Sequence, residues 1–216
     1  MGQEALRRGK LITLEGGEGA GKSTQLRLLV DALGRAGVKA LGTREPGGAS
    51  GAEAIRALLV EGDPARWDAV SEALLMVAAR RSHLTETVWP ALEAGTWVVC
   101  DRFLDSTEAY QGVAGGVPRA ELEALHRMIA GDFMPDLTVI FDLPPDLGLQ
   151  RAKARAGAET RFERKGRAFH DKLRQGFLAI AKREPQRCVT IDATGDVDAV
   201  HRAVLAAVRE RLKVKV

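Results

Sequence analysis

The sequence of 216 residues predicts an α/β protein in which helices cover both faces of a five-stranded parallel sheet. Five apolar, strand-like runs alternate with helical patterns, as in repeated βαβ units. The first run leads through a glycine-rich turn into a helix. Charged residues that could bind a ligand follow three of the runs. Because parallel sheets bind ligands at the carboxyl ends of their strands, we expect the functional site at that edge.

The predicted strands are short and well separated. They span residues 11–14, 38–42, 97–100, 137–143 and 188–192. The second ends at Thr43-Arg44-Glu45-Pro46-Gly47-Gly48, and the third ends at Asp101-Arg102. In the turn after the second strand, a trans peptide before Pro46 is the default expectation, with a cis bond as the less common alternative.

Helical patterns fill the intervals between the strands. Leu26, Leu29, Val30 and Leu33 have the i, i+3, i+4, i+7 spacing of a helix packed on a sheet. Helices are predicted over 52–61 and 69–93, and Pro90 should kink or break the end of the second. Further helices are predicted over 118–131, from Pro144-Pro145 to about Ala156, and over 168–184. The last helix carries an apolar stripe expected in the core, formed by Val197, Val200, Val204, Val208 and Leu212.

Composition indicates one globular domain over residues 1–216. The net charge of +3 and the pI of about 9.0 are mildly basic, and small anionic ligands account for them without a nucleic-acid partner. No apolar run approaches the roughly 20 residues of a membrane span, and the N-terminus lacks the apolar core of a signal peptide. We therefore expect a cytoplasmic protein without a membrane partner, in which Cys100 and Cys188 are buried free thiols. The absence of asparagine excludes the Asn-Lys-x-Asp element of GTPase switches.

The turn after the first strand has the spacing of a phosphate-binding loop. Gly16, Gly21, Lys22 and Ser23 fit the pattern G-x-x-x-x-G-K-[ST]. Glycines leave backbone N–H groups open to a polyphosphate, Lys22 can reach the outer phosphates, and the Ser23 hydroxyl can bind Mg²⁺. This context predicts the three-layer P-loop NTPase fold. The predicted ATP-binding residues are Gly16, Gly17, Glu18, Gly19, Ala20, Gly21, Lys22, Ser23 and Thr24.

Arginines indicate a second anionic ligand. Arg44 and Arg102 follow strands, Arg80 lies within a helix, and a basic, glycine-bounded segment at 157–167 is predicted to be a short mobile lid. The planar fork of arginine suits bidentate contact with phosphate. An alcohol acceptor would require a nearby carboxylate base. A phosphate acceptor, with a second pKa of about 6, is already nucleophilic at neutral pH.

Three blocks of the sequence resemble the thymidylate kinase family. They are LEGGEGAGKSTQ at 14–25, TREPGG at 43–48 and DRFLDSTEAYQG at 101–112, and the second and third are far more specific than the first. The resemblance runs from the first strand to the final helix. It implies a single nucleoside monophosphate kinase domain that transfers the γ-phosphoryl group of ATP to dTMP with Mg²⁺. It also implies a homodimer, with the helix at 69–93 as an interface candidate.

The resemblance implies which residues act on the phosphates. Lys22 and the loop amides would hold ATP, while Ser23 and Asp101 would place Mg²⁺, the aspartate through water. One branch of the family has an arginine where Gly19 stands here, so the catalytic arginine would come from the lid. Arg155, Arg161 and Arg164 are the lid candidates, and the first two are favoured. The residues implied in catalysis are Glu18, Lys22, Arg102, Arg155 and Arg161.

The resemblance also implies an acceptor site for dTMP. Arg80 would hydrogen-bond the thymine base, and the ring of Tyr110 would disfavour a 2′-hydroxyl. The family usually has phenylalanine four residues before this arginine, whereas this chain has Met76, whose polarizable thioether would select the base less strictly. The implied lining is Arg44, Glu45, Pro46, Met76, Arg80, Arg102, Ser106, Thr107, Tyr110 and Gln111. Two alternatives remain: a kinase for another nucleoside monophosphate, and a non-catalytic nucleotide-binding switch.

Overall fold

The computed structural model describes residues 8–63, 65–154 and 161–216. Within these ranges the strands are β1 (Leu11–Gly16), β2 (Ala40–Arg44), β3 (Trp97–Asp101), β4 (Leu137–Asp142) and β5 (Cys188–Asp192). They form one sheet in the order β2-β3-β1-β4-β5, and every neighbouring pair is parallel. The predicted five-stranded parallel sheet is therefore confirmed, with strand ends shifted by at most two residues.

Helices occupy the intervals between the strands. They are α1 (Lys22–Arg35), α2 (Ser50–Val60), α3 (Ala69–His83), α4 (Trp89–Glu93), α5 (Leu104–Thr107), α6 (Arg119–Ala130), α7 (Pro145–Lys153), α8 (Arg167–Arg183) and α9 (Val197–Leu212). Two stretches with wider, π-helical turns interrupt the α-helical pattern. Leu84–Val88 joins α3 to α4, and Glu108–Ala114 continues α5.

Strand β1 is the buried centre of the sheet. Its alternating side chains enter two apolar cores, as the pleat requires. Ile12 and Leu14 pack into the core that contains α1 and α9, whereas Leu11 packs into the core that contains α3, α4 and α6. The register pairs Leu14 with Asp101 on one side and Gly16 with Phe141 on the other. The residues that end β1 and β3 therefore lie at the same edge of the sheet.

The helical stretch predicted over 69–93 continues through Pro90 without a break. Pro90 is the second residue of α4, and the wider turns at Leu84–Val88 precede it. A proline lacks an N–H and clashes with the carbonyl one turn back, so it is best tolerated within the first turn of a helix. The helix is therefore not broken at Pro90, and its hydrogen-bonding pattern changes instead to the wider turns at Leu84–Val88.

Two further expectations need correction. Val197 is 51% exposed, although Val200, Val204 and Val208 of the same stripe are buried. Residues 194–198 are all exposed, because the chain enters α9 at the surface and reaches the core one turn later. The sequence patterns also gave no helix over 104–114, which forms α5 and its wider turns. That segment is short and mixed in polarity, so its apolar periodicity is weak.

The remaining predictions concern the end of α7 and the lid, the two cysteines and membrane-spanning segments. Helix α7 is described to Lys153, so the predicted end near Ala156 lies outside the described residues, as does most of the predicted lid. Both cysteines are free and buried, as predicted; burial raises the pKa of Cys188 to about 12. None of the described helices combines the length and apolarity required to span a bilayer.

Candidate active site

The glycine-rich loop follows β1 and opens α1. Its glycines at 16, 19 and 21 have φ angles of 137°, 67° and 86°, which a residue with a side chain rarely adopts. A Cβ atom at Gly19 would also lie 1.9 Å from the carbonyl oxygen of Gly148 in α7. This close approach explains in physical terms why position 19 carries no arginine in this chain.

Lys22 lies inside this loop. Its Nζ donates hydrogen bonds to the carbonyl oxygens of Gly16, at 3.1 Å, and Gly17, at 2.8 Å. Burial, reinforced by the positive charge of Arg102, lowers the pKa of Lys22 to about 8. The ammonium group is therefore poorly compensated until an anion enters the loop.

Ser23 and Asp101 meet at the start of α1. The Ser23 hydroxyl donates to Oδ2 of Asp101 over 2.6 Å. Both face a cavity of about 530 Å³, here called the phosphate cleft. Its lining consists of the loop from Glu18 to Thr24, with Arg27, Arg44, Glu45, Arg56, Asp101, Arg102, Arg151 and Glu163. The cleft thus combines loop amides, a lysine and several arginines around one space.

A second, smaller cavity of about 110 Å³, here called the inner pocket, adjoins the phosphate cleft. The two share Glu18, Glu45, Arg56 and Arg102. The inner pocket is lined by these residues and by Pro46, Val60, Met76, Arg80, Phe103, Ser106, Thr107, Tyr110, Gln111 and Phe162. Every residue predicted to line the acceptor site is therefore found in this pocket except Arg44, which lies in the phosphate cleft.

Arg102 and Glu18 form the boundary between the two cavities. Arg102 has a left-handed φ of 71°, a conformation that is costly for a side chain of this size. It donates to Glu18 Oε1 at 3.0 Å and to the carbonyl oxygen of Gly16, also at 3.0 Å, and it stacks on Tyr110. Tyr110 donates its hydroxyl to the same oxygen of Glu18 over 2.6 Å.

The charges of this boundary set the ionisation of Glu18. Burial alone would raise the pKa of the carboxyl group. The positive charges of Arg102 and Lys22 and the hydroxyl of Tyr110 outweigh it and lower the pKa to about 2. Glu18 is therefore a carboxylate at neutral pH.

Glu15 supports this boundary from behind, and the sequence analysis did not identify it. Its carboxyl group accepts hydrogen bonds from the backbone N–H of Phe103, at 2.7 Å, and from the hydroxyl of Ser106. Burial, with a contribution from the nearby Asp105, raises its pKa to about 7. Glu15 ties β1 to the turn that holds Arg102. The sequence feature that could have identified Glu15 is a charged residue inside an otherwise apolar strand.

Arg80 is held on one side of the inner pocket. Its Nε donates to Glu45 Oε2 at 2.7 Å, its Nη2 donates to the Thr107 hydroxyl at 2.9 Å, and its guanidinium lies over the ring of Phe103. Arg80 is only 3% exposed. Arg80 and Thr107 thus lie together at the inner pocket, and Glu45 directly orients the arginine.

His83 is a second supporting residue that the sequence analysis missed. Its Nδ1 lies 2.9 Å from Glu45 Oε1, and its Nε2 lies 2.8 Å from the Thr43 hydroxyl. A Cβ atom at Gly48 would lie 2.6 Å from this ring, so the glycine leaves space for the histidine. The Glu45–Pro46 peptide is cis, contrary to the default expectation of trans. No local sequence signal distinguished this histidine from one in an apolar core.

Arg44 and Arg56 occupy the mouth of the site. Arg44 donates to both carboxylate oxygens of Glu53 at 3.1 Å and remains 54% exposed. Arg56, which was not predicted, donates to the carbonyl oxygen of Pro46 over 2.6 Å and lines both cavities. The mouth is therefore strongly cationic.

The lid candidates have different positions. Arg155 lies outside the described residues. Arg161 is fully buried and donates to Glu72 Oε1 at 2.6 Å and to the carbonyl oxygen of Leu59 at 3.0 Å. Arg164 donates to the carbonyl oxygen of Gly62. The contacts of Arg161 with Glu72 and Leu59 place it beside the inner pocket, and a role at the transferring phosphoryl group stays a prediction.

The comparisons with known proteins agree with one another. The family model described as Thymidylate kinase matches residues 14–204. The chain belongs to the thymidylate kinase family. A thymidylate kinase of Caulobacter vibrioides is 55% identical over 204 residues, covering 94% of this chain and 98% of the relative. One from Nitrobacter winogradskyi is 53% identical, with coverages of 94% and 90%.

A solved structure extends this result to the fold. The crystal structure of thymidylate kinase from Ehrlichia chaffeensis matches with a TM-score of 0.74 and 34% identity, covering 92% of this chain and 98% of that one. The P-loop NTPase fold predicted from the sequence is therefore confirmed. The comparisons support neither of the alternatives considered above, a different nucleotide acceptor or a non-catalytic switch.

The donor set at Ser23 and Asp101 fits the Mg²⁺ that thymidylate kinases would be expected to use with ATP. Mg²⁺ at such sites is held by one or two protein oxygens, by substrate phosphates and by water. A hydroxyl and a carboxylate already in contact at the phosphate cleft match that requirement. In the described ranges no three His, Cys, Asp or Glu residues cluster as an all-protein metal site.

Proposed function

We propose that this chain performs the reaction of the thymidylate kinase family, transfer of the γ-phosphoryl group of ATP to dTMP to give dTDP and ADP. One observation carries the proposal. The phosphate cleft and the inner pocket meet at Glu18 and Arg102, so two nucleotides bound in them would have their phosphates adjacent. Holding two reactants in this way replaces a bimolecular encounter and is a large source of rate enhancement.

On the donor side, the loop amides and Lys22 would bind the phosphates of ATP. Ser23 and Asp101 would hold Mg²⁺, which when bound neutralises phosphate charge. The partial positive charge at the start of α1 points towards the same region. Lys22 would exchange its two carbonyl partners for phosphate oxygens, which are stronger acceptors because they are charged.

On the acceptor side, Arg44 and Arg102 would bind the phosphate of dTMP. That phosphate is largely dianionic at neutral pH, so its oxygen attacks without a strong general base. Arg102 remains attached to Glu18, which fixes the direction of its guanidinium group. Catalysis would then consist of positioning and charge stabilisation by Lys22, Arg102 and an arginine of the lid.

The inner pocket would receive the nucleoside. Arg80 can donate to a carbonyl oxygen of thymine. Gln111 lines this pocket and would accept from the base N3–H through Oε1, which has no hydrogen-bond partner among the described residues. The ring of Tyr110, held edge-on by Phe162 and Phe177, would leave little space for a 2′-hydroxyl. Met76 would contact the face of the base.

We also propose a homodimer and a cytoplasmic location. Val70 and Leu74, one turn apart on α3, are 52% and 51% exposed, and they form an apolar patch that a second copy could cover. Two buried cysteines that remain free are consistent with a reducing compartment. Sedimentation of the purified chain over a range of concentrations would test the dimer.

The activity is tested by measuring ADP production from ATP and Mg²⁺ with dTMP, dUMP, UMP, CMP, AMP and GMP in parallel. We expect a strong preference for dTMP. Lys22→Ala should abolish transfer, whereas Lys39→Ala, at an exposed site before β2, should leave it unchanged. Folded protein that binds ATP but turns over none of the acceptors would refute the proposed function.

A further inference from the structure

Three buried side chains next to the inner pocket form one hydrogen-bonded group, here called the base-side cluster. Its members are Glu72 of α3, Gln111 and Arg161, which are 2%, 1% and 0% exposed. Arg161 Nη2 donates to Glu72 Oε1 over 2.6 Å, and Gln111 Nε2 donates to Glu72 Oε2 over 3.0 Å. Lys165 lies 3.5 Å from the same Oε1 atom. The carboxylate thus receives the arginine on one oxygen and the amide on the other.

The carboxylate decides which way the Gln111 amide points. An ionised carboxylate only accepts hydrogen bonds, so it pairs with the NH₂ end of the amide and repels the carbonyl end. Turning the amide over would place two oxygens against each other in a buried site. Oε1 is therefore directed away from Glu72, and it is the end that lacks a partner among the described residues. Gln111 lines the inner pocket, so a base that contacts this side chain would meet a carbonyl acceptor that has no other partner among the described residues.

We infer that Glu72, held by Arg161, is a positioning residue that makes the inner pocket selective for a pyrimidine carrying a proton on N3. This inference rests on the proposed function. Thymine and uracil have an N3–H donor, whereas cytosine has an N3 acceptor and an exocyclic amino donor. Only the first pattern matches an Oε1 acceptor. Glu72 and Arg161 touch neither base nor phosphate in this scheme and act through Gln111.

Arg161 also connects this selection to the lid segment. The backbone N–H of Arg161 donates to the carbonyl oxygen of Val60 over 3.0 Å, which docks the start of the described lid residues against the end of α2. The next residue, Phe162, lines the inner pocket and meets the ring of Tyr110 edge-on at 5.5 Å. The segment that carries Arg161 is thus part of the wall around the base.

A positioning role and a phosphoryl-transfer role for Arg161 predict different kinetics. An arginine that stabilises the transferring phosphoryl group contributes about 10³ or more to kcat. Loss of a positioning residue instead weakens recognition of one base edge, so KM for dTMP rises and discrimination falls. The ratio of kcat/KM for dTMP to that for dCMP therefore reports the positioning role. The value of kcat at saturating dTMP reports the phosphoryl-transfer role.

The experiment measures kcat, KM and this ratio for the full chain and for Arg161→Gln, Arg161→Lys and Glu72→Gln. For Arg161→Gln and Glu72→Gln we expect KM for dTMP to rise and the ratio to fall, each by about tenfold, with kcat within about threefold. Arg161→Lys, which keeps the positive charge, should recover part of the ratio. It also provides a reading if either glutamine variant fails to fold.

The matched control is Arg187→Gln. Arg187 pairs with the buried Asp105 through two hydrogen bonds of 2.8 Å, so its loss should lower thermal stability to a similar degree. We expect the dTMP to dCMP ratio of this variant to stay unchanged. A loss of kcat by about 10³ in Arg161→Gln, with KM and the ratio unchanged, would overturn the inference. Absence of dTMP turnover in the unmodified chain would instead refute the proposed function itself.

Discussion

Binding of ATP should draw a proton onto Lys22. The pKa of this lysine is lowered to about 8, first by burial and then by the charge of Arg102. Phosphate oxygens that enter the loop place negative charge beside the buried ammonium group, so the pKa of Lys22 rises on binding. At pH 8 the free side chain is about half protonated, and uptake should be about 0.5 proton per ATP. At pH 7 the same pKa gives an uptake of only about 0.1.

Calorimetric titration of ATP with Mg²⁺, repeated in buffers of different ionisation enthalpy, measures this uptake directly. The matched variant is Lys22→Arg, which keeps the positive charge but cannot release a proton in this range. Its uptake at pH 8 should be close to zero, even if its affinity changes. Zero uptake by the unmodified chain at pH 8, or equal uptake by both proteins, would refute the assignment of the lowered pKa to Lys22.

Three further substitutions test the supporting residues. Met76→Phe should lower KM for dTMP by about threefold to tenfold, because ring stacking adds about 0.5–1.5 kcal/mol; an unchanged or higher KM would contradict a contact with the base. His83→Leu should raise KM for dTMP by about tenfold by releasing Glu45 from one side, whereas His83→Asn, which keeps a donor, should stay within about threefold. Glu15→Gln should become more stable relative to the unmodified chain as pH rises from about 4.5 to about 7, by up to about 3 kcal/mol, because the raised pKa of Glu15 gives stability at low pH that is lost on ionisation. Chemical unfolding at pH 5 and pH 7.5 measures this difference, and equal shifts for both proteins would exclude the raised pKa.

The parts of the site that could be predicted are those encoded in short stretches. The phosphate loop depends on glycines and on Lys22 within eight residues, so its spacing, with the strand before it and the helix after it, predicts the loop. The strands were found because a parallel sheet buried on both faces needs continuous apolar runs. Arg80 and Met76 were placed through a family resemblance, and the structure finds both in the inner pocket.

The supporting residues could not be predicted, because their partners are far away in the chain. Glu72 meets Gln111 across 39 positions and Arg161 across 89. In the sequence Glu72 is one polar residue in a helical pattern, where an exposed position is the usual interpretation, and Arg161 is one of several arginines in a basic segment. Such charged or polar groups are buried only where the fold supplies a partner for each, and the local sequence does not show that partner. The family resemblance made Arg161 one candidate for the transferring phosphoryl group, and that role stays a prediction.

The arginines of the site differ in how firmly their carboxylate partners hold them. Arg80 and Glu45 are 3% and 4% exposed, and breaking a buried pair by removing one member costs about 3–5 kcal/mol. Arg44 and Glu53 are 54% and 44% exposed, and such a surface pair contributes at most about 1 kcal/mol. Arg44 can therefore leave Glu53 for an incoming phosphate at little cost, while Arg80 keeps its orientation throughout. The inner pocket around Arg80 is therefore preorganised, and the adjustable arginine is Arg44 at the mouth of the site.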